Sequence, residues 1–283
     1  MKILILGLTG MLGHRVYIKF KESKLFSDIR GTIREDKKIL ERYSFFNLEE
    51  VYDKIDFELN GFEQLYNIIN EYKPDIVVNC IVIKKDAPKE KFLIINSSLP
   101  HFIAKIIPKG SRLIQLSTDG VFSGKKGNYS ETDVTDSNDI YAKSKFFGEI
   151  IYGDNLTIRT SIFGHELFDK KLGIVEWFLN EKKRANGFSN YFFSGVSTNW
   201  LSDTLIILIR SKFSGLVNIC SNKISKYQFL KILNEVYSCQ KEIINFNNEP
   251  VDRSLNPRKM VTELNIEIPD MKSMIEQMKN ENV

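Results

Sequence analysis

Short apolar runs alternate with stretches of helical apolar spacing through the first 164 residues. The runs KILILG, DIRGTIR, KIDF, DIVVNCIVI, RLIQLS and NLTIRTSIFG predict strands. Between them lie helices from about Met11, from Asn60, through FLIINSSLPHFIAKII and at YAKSK. Asn60 followed by Glu63 predicts a capping box at the second helix. Continuous apolar strands separated by helices imply a parallel sheet covered on both faces. The pattern changes after about Gly164. GIVEWFLNEKKR, TNWLSDTLIILIR, SKYQFLKILNEVYS and DMKSMIEQMKN predict helices, with one short strand at GLVNIC. No Pro- or Gly-rich linker separates the halves, so the second should pack directly on the sheet. The expected division is a doubly wound α/β domain over 1–164 and a smaller, helix-rich substrate lobe over 165–283. A return of the chain to the first domain is expected around 188–212.

The 283 residues include 42% hydrophobic and 27% charged positions, and the net charge is +4. Basic and acidic residues are interleaved, which leaves no stripe for nucleic acid and suits anionic small molecules. Cys80, Cys220 and Cys239 are odd in number and far apart. They imply neither a disulfide framework nor a zinc site, and a reducing cytoplasm follows. The opening apolar run is too short for a signal or spanning helix, and no later stretch is long enough, so no membrane role is expected. Three histidines without a carboxylate cluster predict no metal site.

Gly7, Gly10 and Gly13 in ILGLTGMLG fall between the first strand and the first helix. Glycines there permit a tight turn, close approach of backbone to a pyrophosphate, and helix packing. They predict a Rossmann-type dinucleotide site. An NAD site places an acid at the tip of the second strand, and an NADP site a base. The strand ends at Arg34, with Thr32 before it, which favours NADPH. Glu35 and Asp36 follow and keep NADH open.

RLIQLSTDG ends an apolar strand on Ser117, Thr118 and Asp119. Hydroxyls at the carboxyl end of a buried strand have few partners and suit a substrate carbonyl. Tyr141 and Lys145, four apart, share a helix face. Gly148 would allow that helix to pack closely, with Phe146, Phe147, Ile150 and Ile151 as core.

The glycine turn, STD and Tyr-x-x-x-Lys resemble the extended short-chain dehydrogenase/reductase superfamily. STDGVFSGKKGNYSETD followed by YAKSKFFGE resembles its dTDP-4-dehydrorhamnose reductase (RmlD-like) family, as do INSSLPHFIA, IRTSIFG and DRSLNPRKM. The resemblance implies a nucleotide-sugar 4-keto reductase in polysaccharide or O-antigen biosynthesis. Its catalytic residues would be Thr118, Tyr141 and Lys145, the ammonium lowering the tyrosine's pKa. Thr9, Met11, Leu12, Asp56, Cys80 and Ile81 would join the glycines, Arg34, Tyr141 and Lys145 around the cofactor. Ser117, Asp119, Gly120, Thr160, Ser161 and Arg253 would face the substrate. Ser197, Thr198 and Asn199 are further polar candidates, although Thr198 or Asn199 could instead cap a helix. Arg253 lies in PVDRSLNPRK, read as a basic loop without helix, and is the first choice for the pyrophosphate, with Lys259 as a structural alternative.

Gly120 replaces the family's usual tyrosine, and VNCIVIKKD replaces its N-A-A-A-Y-T run, so Val82 and Ile83 alter the wall beside the nicotinamide and substrate. A subset with such features looks tied to UDP-2-acetamido-2,6-dideoxy-hexos-4-uloses. A dehydratase would carry Asp-Glu after the threonine, and Gly120 stands in place of that Glu. A 4-epimerase stays open, as does a non-catalytic NADP-binding regulatory subunit resembling the methionine adenosyltransferase beta subunit. A homodimer is compatible with the family. His14 is either near the phosphates or on a helix surface, and His101 is read as an ordinary helix residue. His165 and Glu166 are candidates for touching substrate. Trp177 and Phe192 or Phe193 are candidates for stacking on the base.

Overall fold

The computed structural model of the protein describes residues 1–83, 87–168, 173–181, 183–247 and 249–281. Seven strands form one sheet: β1 (Lys2–Leu6), β2 (Asp28–Thr32), β3 (Val51–Tyr52), β4 (Ile76–Asn79), β5 (Arg112–Leu116), β6 (Leu156–Arg159) and β7 (Gly215–Asn218). Their order is β7-β6-β5-β4-β1-β2-β3, every pairing parallel. The order reverses between β1 and β4, which opens a crevice at their carboxyl ends.

Alternation along each strand supplies both cores. Ile3, Ile5, Ile76 and Val78 pack with Val16, Tyr17 and Phe20 of helix Gly13–Ser23 and with Leu201 and Leu205 of helix Thr198–Ser211. Leu4, Leu6, Val77 and Leu113 pack on the other face with Leu65 and Ile69 of helix Gly61–Tyr72 and Leu99 and Ile103 of helix Leu99–Ile106. GLVNIC therefore belongs to the main sheet, as its edge strand β7.

Several expected elements differ. KIDF is not a strand; the pairing ends at Tyr52, and Lys54 turns left-handed (φ 58°). Ile55 and Phe57 are nevertheless buried. Asn60 makes no side-chain capping bond, and the first helical N–H, that of Gly61, donates to the Asp56 carbonyl at 2.8 Å. Phe146, Phe147 and Ile151 are exposed; of the four residues expected in the core only Ile150 is buried. The second half also holds more strands than expected. Arg184–Phe188 pairs with Glu242–Phe246, and Tyr191–Phe193 lies between Ile224–Ser225 and Val251–Asp252. These are short and half-exposed, so their sequences show no clean alternation. PVDRSLNPRK is not helix-free, since a helix starts at Arg258.

Gly148 does permit the close packing expected of it. A Cβ there would lie 1.8 Å from the Asn96 carbonyl oxygen. Gly148→Ala should therefore destabilise the fold by about 1–3 kcal/mol, read as a lower denaturant midpoint. An unchanged midpoint would contradict this packing.

Candidate active site

The turn after β1 is built for close approach. Gly7 adopts φ +84° and donates to the Thr32 carbonyl at 3.1 Å, and Gly10 N–H donates to the Gly7 carbonyl at 3.0 Å. A Cβ on Gly13 would lie 2.1 Å from the Gly7 oxygen, so only glycine fits where the helix meets the turn. The N-terminus of helix Gly13–Ser23 stands behind this turn and favours negative charge.

A cavity of about 480 Å³ runs from the turn across the ends of β2 and β4. Gly7, Thr9, Gly10, Arg34, Asp56, Cys80 and Ile81 border it, joined by Val82, Ile83, Glu35, Glu58 and Lys91. Arg34 is exposed at its rim and makes no ion pair among the described residues. Glu35 accepts from the Thr9 hydroxyl at 3.5 Å. Thr32 also borders this cavity, with its hydroxyl accepting from Gly7 N–H at 3.4 Å. The glycine cradle and the free guanidinium fit a dinucleotide.

A second cavity, of about 440 Å³, shares Gly10, Cys80, Ile81 and Val82 with the first. The two form one cleft. Met11, Leu12, Thr118, Asp119, Gly120, Tyr141, Lys145, Thr160, Ser161 and Arg253 all border the second part. Helix Ile140–Phe147 brings Tyr141 and Lys145 there. Asp139 caps it by accepting from Tyr141 N–H at 2.9 Å, and Asn96 Nδ2 ties it down through Ser144 Oγ at 3.0 Å.

Lys145 is 4% exposed and its Nζ donates to the Leu116 carbonyl at 2.5 Å. Burial pulls its pKa down to about 8, opposed by Glu149 and Cys80. Burial pushes Tyr141 up to about 12, reinforced by Asp119 and Asp139 and opposed by a hydrogen bond with Thr118. The expected lowering of the tyrosine by the ammonium is thus not what this site shows; desolvation dominates and the phenol stays protonated at neutral pH. The Thr118 hydroxyl donates to Asp119 Oδ1 at 3.2 Å and accepts from Gly120 N–H at 3.0 Å. Ser117 borders the cavity, but its hydroxyl donates to Glu149 Oε1 at 2.7 Å.

On the far wall Arg253 Nη1 donates to the Tyr191 hydroxyl at 3.3 Å, and its Nε is buried without a partner. Lys226 Nζ lies 3.8 Å from the Tyr191 ring centroid. Tyr191 and Lys226 were not expected here. Ser225 and Gln228 form a capping box that starts the helix carrying Lys226, and that spacing is readable in SKYQ.

Other expectations fail. Ser197, Thr198 and Asn199 are buried and border neither cavity. The Ser197 hydroxyl caps helix Thr198–Ser211 by accepting from Trp200 N–H at 3.1 Å, and Asn199 donates to Glu281 at 2.9 Å. Thr198 packs against Gly164, where a Cβ would lie 2.2 Å from its Oγ1. Lys259 donates to the Leu216 carbonyl, a structural contact. His14 is neither on the surface nor in the cleft: it is buried on the Gly10 carbonyl at 2.8 Å, and burial holds its pKa down to about 4. His165 lies between Glu176 and Tyr237, at 2.6 Å from each, and Glu166 accepts from Gly173 N–H at 2.7 Å. Neither borders the cleft, nor does Trp177 or Phe192, whereas Phe193 does.

Among the described residues no His, Cys, Asp and Glu group could hold a metal ion, and no helix is long and apolar enough to cross a membrane.

The model of the RmlD substrate binding domain family matches residues 1–182. Methionine adenosyltransferase 2 subunit beta of Rattus norvegicus is 28% identical over 156 residues, covering 52% of this chain and 41% of that relative. The chain thus spans less than half the length of that relative. Spore coat polysaccharide biosynthesis protein SpsK of Bacillus subtilis is 30% identical over 193 residues, 63% of this chain and 66% of that protein. The structure of dTDP-4-dehydrorhamnose reductase from Bacillus anthracis in complex with NADP is similar with a TM-score of 0.77 at 19% identity, covering 100% of this chain and 99% of that one. That likeness is one of fold.

Proposed function

Because the chain belongs to the RmlD substrate binding domain family, we propose that it is an NADPH-dependent reductase of the 4-keto group of a nucleotide-activated 6-deoxyhexos-4-ulose, serving polysaccharide sugar biosynthesis. One observation carries the reading: Thr118, Tyr141 and Lys145 border a single cavity that opens, through Gly10 and Cys80, onto the glycine turn. Gly7, Thr9, Gly10 and Arg34 would hold a nicotinamide dinucleotide, which would supply the hydride when bound. Tyr141, protonated at neutral pH, gives its proton to the carbonyl oxygen. On turning from Asp119 Oδ1, the Thr118 hydroxyl donates a hydrogen bond to the same oxygen, and Lys145 as an ammonium stabilises the phenolate left behind. Arg253 and Lys226 supply positive charge for the diphosphate.

Gly120 supports the finer reading of a 2-acetamido sugar carried on UDP. A Cβ there would meet only the Thr118 side chain, at 3.2 and 3.5 Å, so the missing side chain leaves room beside the reacting carbonyl. Comparing kcat/KM for UDP-2-acetamido-2,6-dideoxy-hexos-4-ulose and dTDP-4-dehydrorhamnose tests it, and preference for the latter would overturn it. The match to the methionine adenosyltransferase subunit favours a second reading, a non-catalytic regulatory subunit. That reading holds if cofactor binds but no 4-keto sugar nucleotide oxidises it.

Arg34 is proposed to take the 2′-phosphate. A hydrogen bond to a charged group contributes about 1.5–3 kcal/mol, so Arg34→Ala should raise KM for NADPH roughly 10- to 100-fold and leave NADH nearly unchanged. Equal effects on both cofactors would remove Arg34 from the site.

A further inference from the structure

The sheet face covered by helices Gly61–Tyr72 and Leu99–Ile106 carries Leu4, Leu6, Val77 and Leu113. Two residues further along β4 and β5, on the same face, the apolar pattern breaks at Asn79 and Gln115. The two are register neighbours on adjacent parallel strands, and each is 1% exposed. A buried amide is unfavourable unless it is bonded. Here the bonds run on from one amide to the next. Ile81 N–H donates to Asn79 Oδ1 at 3.1 Å, and Asn79 Nδ2 donates to Gln115 Oε1 at 2.8 Å. Gln115 Nε2 then donates to the Leu116 carbonyl at 3.0 Å. Lys145 Nζ donates to that same carbonyl at 2.5 Å. The chain of bonds thus links Ile81, on the wall common to both cavities, with Lys145.

Two apolar side chains could fill this space with nearly the same stability and no polar atom to satisfy. Neither Asn79 nor Gln115 is among the described residues that border the cleft. Their effect on the reaction must therefore pass through Ile81, Leu116 and Lys145. The chemistry of the shared carbonyl says how. A carbonyl oxygen has two lone pairs, and the Gln115 amide takes one of them. Lys145 is left with the other. A lysine ammonium is a point charge with three donors on a flexible four-carbon stem, so an acceptor open on both sides would let it swing. With one side closed, Nζ has a single place, and two of its three N–H groups stay available to the cleft.

We infer that Gln115 is a positioning residue of the reduction, which fixes the Lys145 ammonium by occupying one side of the Leu116 carbonyl, and that Asn79 holds the Gln115 amide in place. The inference rests on the reductase reading for its kinetic consequence and on the hydrogen bonds alone for its structural one.

Gln115→Met keeps the length of the side chain and removes both polar atoms. It should lower kcat by about 10- to 100-fold, the effect of a misplacement near 1 Å, with KM for the sugar nucleotide nearly unchanged. In a Lys145→Met background the same substitution should cost no further activity, because Gln115 then has nothing to place. Equal losses in the two backgrounds would overturn the inference. A second measurement needs no substrate: a crystal structure of Gln115→Met, in which Nζ should lie about 1 Å or more from its wild-type place. An unmoved Nζ overturns the inference whatever the enzyme reduces. If the wild type turns over no sugar nucleotide while Nζ moves, the reductase reading fails and the placing of Lys145 stands. Gln115→Met leaves Asn79 Nδ2 buried without its acceptor. Should that variant fail to fold, Asn79→Leu with Gln115→Met replaces both amides by apolar groups of similar size. The same displacement of Nζ is expected there, and its absence overturns the inference.

Discussion

Replacing Tyr141 with Phe should lower kcat by about 10²–10⁴-fold, the usual contribution of a positioned acid, while cofactor binding persists. The ring stays packed edge-on to Phe92, whose centroid is 6.2 Å away, so the variant loses a hydroxyl and little else. Burial and Asp119 hold that hydroxyl in its protonated form, with a pKa of about 12. This suits a group whose task in the reductive direction is to give a proton. The cost lies in forming a phenolate, and in the proposed reduction the Lys145 ammonium is the cation assigned to stabilise it. Fluorescence titration with NADPH checks that the cofactor still binds. Turnover within a few-fold of wild type would show that the proton comes from elsewhere.

Arg253→Ala should weaken nucleotide-sugar binding with little change in affinity for NADPH. Arg253 borders the part of the cleft that holds Thr118 and Tyr141, and not the part reached by Arg34. Its guanidinium leans on the Tyr191 hydroxyl with Nε buried and unpartnered, so a donor is available to a bound diphosphate. Removing one partner of a buried charge pair costs about 2–5 kcal/mol, at least ~30-fold in affinity. Isothermal titration with the sugar nucleotide checks this. An unchanged dissociation constant would move the diphosphate to another donor, with Lys226 first.

The parallel sheet was legible because β1, β4 and β5 are continuous apolar runs and glycines fall where β1 meets its helix. That Tyr141 and Lys145 border one cavity with the STD strand end was legible from their spacing. What escaped depends on tertiary packing. SGVSTNW offers three polar side chains in a row, yet the sequence does not say that Met274 and Glu281 close over them. Exposed Phe146 and Phe147 read as core because a helix's apolar face does not state what covers it. The far wall escaped because Tyr191 lies on a three-residue strand and Lys226 at the start of a separate helix, and only the fold brings them beside Arg253. The tyrosine's pKa was misjudged in sign, since burial and the Asp119 and Asp139 carboxylates push it up and only a hydrogen bond with Thr118 opposes them.

The central claim is hydride transfer to a sugar carbonyl, and isotope transfer tests it most directly. The protein is incubated with NADPH deuterated in turn at each face of nicotinamide C4 and with a UDP- or dTDP-linked 6-deoxyhexos-4-ulose. The account predicts one equivalent of NADP⁺ per sugar reduced, and deuterium at C4 of the product from one face alone. Recovery of an epimerised sugar without net NADPH oxidation, or of untouched sugar beside bound NADPH, would contradict it.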